Sequence, residues 1–106
     1  MLDKEIAKRW IDELKSGRWV CTTEKLGVPE TNRRCCLGVL QEIAPKDLPR
    51  NPLHLGAPTE EIWEWAVEPG IDVSEMGFRP DQMAELNDEY GEYPIDLIAK
   101  YAGIER

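Results

Sequence analysis

Three cysteines and one histidine are the soft ligands and nucleophile candidates of this 106-residue sequence: Cys21, Cys35, Cys36 and His54. Zinc is held by such side chains in pairs about two to four residues apart, because only then do both reach one tetrahedral ion. That spacing is absent, and free cysteine is among the most buried residue types, so core packing is the expectation for all three thiols. A catalytic cysteine would need a base within reach, and His54 in a loop is the one histidine that could serve.

Carboxylates offer less. The stretch Asn87-Asp88-Glu89-Tyr90-Gly91-Glu92 resembles a calcium loop only superficially, since placing Gly91 at the sixth position puts Leu86 at the first, which has no oxygen ligand. Pairs such as Glu60/Glu64 and Glu85/Glu89 have helical spacing, but acid–base chemistry needs a pocket that shifts their pKa values. Neither glycine-rich phosphate loop occurs. No catalytic residue, metal site or cofactor is therefore assigned from the sequence.

Two groups of residues remain as binding candidates. Arg18, Arg33 and Arg34 lie around Trp19 in one segment, and guanidinium with an aromatic ring can grip a phosphate or stack a base. The competing reading pairs these arginines with the protein's own acidic half. The second group is Glu60, Glu61, Trp63 and Glu64, an acidic helix face with an aromatic anchor suited to a basic protein surface.

The elements that would position these residues follow from periodicity and breakers. Asp3 can cap a first helix with Ile6, Trp10 and Leu14 on one face, closed by Gly17. The β-branched and aromatic run Arg18 to Thr23 suits a short strand. A turn over Gly27 to Asn32 and a return through Arg33 to Cys36 would make it a β-hairpin.

Leu37, Leu40, Ile43 and Ala44 then give a helix stopped by Pro45. Pro45, Pro49, Pro52 and Pro58 make the next stretch an irregular connection. Thr59 can cap a helix that ends before Pro69, with Ile62, Trp65 and Ala66 inward and Trp63 outward. Two further helices are expected, from Arg79 or Pro80 to Leu86 and from Pro94 to Tyr101. The fold class is mainly α with a minor β-hairpin, one domain over residues 1–106. Its core is drawn from Ile6, Trp10, Leu14, Leu37, Leu40, Ile43, Ile62, Trp65, Leu86, Ile95 and Ile98.

Composition sets the surroundings. The net charge is −8, and it is unevenly spread. Residues 1–50 hold ten Lys/Arg against eight Asp/Glu, whereas residues 51–106 hold three against thirteen. An acidic second half repels nucleic-acid phosphates, so direct nucleic-acid binding is not expected, and it attracts basic partners. The charged N-terminus has no apolar signal-peptide stretch, and no run approaches the ~20 apolar residues of a membrane span. With an odd cysteine count, this leads to a cytoplasmic location and no membrane partner.

The run Ser16-Gly17-Arg18-Trp19, then Leu26, Cys35-Cys36-Leu37-Gly38-Val39-Leu40, Ala84-Glu85-Leu86-Asn87-Asp88 and Ile95 to Ala99 resembles a family of small phage and prophage proteins. Those proteins carry a Ser-Gly-Lys-Tyr, a Cys-Cys-Leu-Gly-Val-Leu and a Leu-Asn-Asp pattern. This chain departs from them at Cys21, where glutamine is frequent, and at Gln41, where a further cysteine often follows. The resemblance implies a mobile-element accessory protein made in a bacterial host cell, and it brings no activity with it.

Together these readings lead to a non-enzymatic phage or prophage accessory protein. It is expected to bind and inhibit a host component, such as an antiviral-defence protein, through its acidic surface. The alternatives are a protein that sequesters a nucleotide-like signal through Arg18, Trp19, Arg33 and Arg34, and a small enzyme of unknown reaction. Oligomeric state is not encoded in any pattern found.

Overall fold

The computed structural model of the chain describes residues 2–67 and 92–104. Its first helix, α1 (Lys4–Lys15), begins where the sequence supplies a cap: the Asp3 carboxylate accepts the Ile6 amide at 3.1 Å. Ala7, Trp10, Ile11 and Leu14 form its buried face, and Gly17 follows it at φ 80°, a conformation that glycine adopts without strain.

The strands β1 (Val20–Cys21) and β2 (Arg33–Arg34) lie where a hairpin was expected, but they run parallel, Val20 beside Arg33 and Cys21 beside Arg34. The antiparallel partner of Arg34 is Gly27. The Val28 amide donates to the Arg33 carbonyl at 3.1 Å, and the Cys35 amide to the Leu26 carbonyl at 2.9 Å. The reason is the tightness of the turn between them. The Thr31 amide closes on the Val28 carbonyl at 3.3 Å, with Pro29 and a left-handed Glu30 (φ 65°) at the centre. So tight a turn lays residues 26–28, rather than 20–23, against 33–35, and β1 takes the opposite edge of β2.

The next helix, α2 (Cys36–Ile43), is the centre of the core, buried from Cys36 through Gln41. The Cys35 sulfur caps it by accepting the Gly38 amide at 3.4 Å, and the Trp10 indole donates to the Cys36 carbonyl at 2.8 Å. Gly38 is required by close approach: a Cβ there would collide with the Leu26 carbonyl. The Cys-Cys-Leu-Gly-Val-Leu block is thus a helix start built to let a loop backbone lie on it.

The proline-rich connection is irregular, as expected, yet pinned throughout. Buried Gln41 exchanges two hydrogen bonds with the Asn51 backbone, at 2.9 and 3.2 Å. Arg50 donates to the carbonyls of Ala44, Pro45 and Leu48, covering the end of α2. The carbonyls of Leu53 and Leu55 accept the Gly27 and Leu26 amides.

Thr59 caps α3 (Glu60–Ala66), its side chain accepting the Ile62 amide at 3.3 Å. Here one expectation is reversed. Trp63 is 2% exposed and lies in the core, whereas Trp65 is only partly buried. Ile62 and Ala66 fit either rotation of the helix. Val67 decides it, buried in an antiparallel bridge with Leu2, so the inward arc runs through residues 62, 63, 66 and 67. The Asp3 amide on the Ala66 carbonyl, at 2.9 Å, holds the same end.

The last described helix, α4 (Ile95–Ala102), starts after Pro94, packs against α1 and ends at left-handed Gly103. The described residues therefore form a mainly α fold with a minor sheet around one core. Of the expected core, Trp10, Leu14, Leu37, Leu40, Ile62 and Ile98 are buried, while Ile6, Ile43, Trp65 and Ile95 pack at its margin. Leu86, the helix expected to end there and the turn after it lie outside the described residues. Among the described residues no helix is long and apolar enough to cross a membrane.

Candidate functional site

The two binding candidates end in contrasting surroundings. At the start of α2 the sheet turns Arg34 inward, with its side chain 10% exposed. Gly27 makes the space, since a Cβ there would lie 2.6 Å from the Arg34 Cδ. The guanidinium Nη1 donates to the carbonyls of Val28, Thr31 and Arg33 at 3.2, 3.0 and 2.7 Å, tying together the turn that precedes it. Nε pairs with Glu42 of α2 at 3.1 Å, and the guanidinium carbon lies 5.1 Å from the centre of the Trp19 ring.

The rest of that cluster is arranged around the same stack. The Trp19 indole donates to the Glu13 carboxylate at 2.9 Å, and Arg18 pairs with that carboxylate at 3.3 Å. Asn32 donates to the Arg18 carbonyl at 3.2 Å. Arg33 is exposed on β2. The fold therefore brings Trp19 and Arg34 together, adds Arg18 through Glu13, and leaves Arg33 at the surface. Glu13 and Glu42, which complete the group, had no signal in the sequence beyond their helical positions.

Tyr93 joins from the far end of the chain, its hydroxyl donating to the Arg34 carbonyl at 2.9 Å. Burial holds the phenol well above its ordinary pKa. The neighbouring thiols of Cys21, Cys35 and Cys36 push the same way, while Arg34 opposes them. Cys35 and Cys36 are buried and Cys21 is half-buried; all three are free of disulfides. Among the described residues no group of histidine, cysteine or carboxylate side chains could hold a metal ion. His54 is exposed in the proline-rich connection.

On α3, Glu60, Glu61 and Glu64 are all exposed, and none forms an ion pair among the described residues. Trp63, expected beside them as an anchor, faces the core instead. Half-buried Trp65 is the aromatic ring of this helix that reaches solvent. Glu60 and Glu61 occupy the first turn, where the helix dipole favours negative charge, so part of their role is internal. Glu64, in the following turn, has no such role.

The chain matches no family model, no curated protein and no solved structure.

Proposed function

We propose that this chain is a non-enzymatic binding protein that sets the acidic face of α3 against a basic surface of a protein partner. The reading rests on one contrast. Glu60, Glu61 and Glu64 meet solvent without an ion pair among the described residues, whereas Arg34 is turned inward onto three of the protein's own carbonyls and Glu42. Carboxylates that face solvent without an ion pair attract a basic partner and raise association rates over about a Debye length, ~8 Å at physiological salt. Trp65, not Trp63, is the aromatic side chain of this face. The sequence resemblance extends the proposal to a phage or prophage accessory protein that inhibits a host component such as an antiviral-defence protein in the bacterial cytoplasm.

A second reading is sequestration of a nucleotide-like molecule over Trp19. It draws on the half-buried ring and on the exposed Arg18 and Arg33, although Arg18 is already paired with Glu13. One experiment separates the two: capture on the tagged protein from a bacterial lysate at low and then high salt, followed by heat release and mass spectrometry. A protein partner that leaves at high salt supports the acidic-face reading. A released nucleotide without a protein partner overturns it in favour of the second.

A further inference from the structure

We draw no further inference here: the strongest candidate, the thiols of Cys21, Cys35 and Cys36 around the Tyr93 phenol at the start of α2, carries nothing because their convergence rests on the phenol's raised pKa alone, with no disulfide among them and no metal-binding group among the described residues.

Discussion

At the junction of β2 and α2, an arginine whose side chain is one-tenth exposed donates to three backbone carbonyls and a carboxylate, with its guanidinium over the Trp19 ring. On α3, three carboxylates stand in water with no ion pair among the described residues. The first arrangement uses charge to build the fold. A buried cation is tolerated only when its donors are satisfied, and its loss leaves acceptors stranded. The second leaves charge outside the fold, where it contributes little to stability and remains open to a partner. Substitutions in the first region should therefore be read in unfolding, and those in the second in binding.

The largest effect belongs to the junction's backbone. Gly38→Ala drives a methyl into the Leu26 carbonyl and should cost about 3 kcal/mol or more, as overpacking against rigid backbone does. A urea titration measures it, and an unchanged midpoint would show that loop and helix can separate without cost.

Arg34→Met should follow at about 3 kcal/mol. That loss is at the low end for breaking a buried pair because Glu42 reaches solvent. Arg34→Lys should recover little of it, since an ammonium cannot reproduce the guanidinium fork. Full recovery by lysine would mean that charge alone matters there, and the contrast between the two regions would blur.

Tyr93 adds a pH signature. Its pKa is raised in the folded state, so its contribution is fully present below its ordinary pKa of 10.0 and declines as pH rises above that value. Tyr93→Phe should lose about 1 kcal/mol at neutral pH, the worth of one hydrogen bond to a partly buried carbonyl. It should also flatten the alkaline fall in stability, measured by urea unfolding from pH 8 to pH 11. A slope unchanged in the variant would place the alkaline sensitivity elsewhere. A smaller gain is expected from Glu30→Asn, about 0.5 kcal/mol, because asparagine tolerates the left-handed backbone of that turn better than glutamate does.

Local signals in the sequence were sufficient where one residue dictates one bond. Asp3 and Thr59 cap their helices, Pro45 follows the end of α2, and the proline-rich connection is irregular. What was not legible depends on contacts between distant segments. Parallel pairing of β1 with β2 follows from which residues the Pro29-Glu30 turn brings together, and no strand propensity encodes that. Trp63 and Trp65 are equivalent in composition; Leu2, sixty-odd positions away in sequence, selects between them through its bridge to Val67.

The arginines show the same limit. Arg33 and Arg34 are neighbours of one type, yet strand alternation and the gap at Gly27 make one a surface charge and the other an internal clamp. The carboxylates of α3 were readable as exposed because nothing in their helix pattern called them inward. Their aromatic companion was not.

The most direct test of the proposal is the triple variant Glu60→Gln, Glu61→Gln, Glu64→Gln, compared with the unaltered protein for capture of a bacterial partner at low salt. The variant should keep its helical circular dichroism and lose less than ~1 kcal/mol of stability. Affinity for a salt-sensitive partner should fall roughly 10- to 100-fold, as expected for three surface charges contributing ~0.5–1 kcal/mol each. Equal capture by the folded variant, or no protein captured by either form, would contradict the claim that this face is what the molecule offers to a partner.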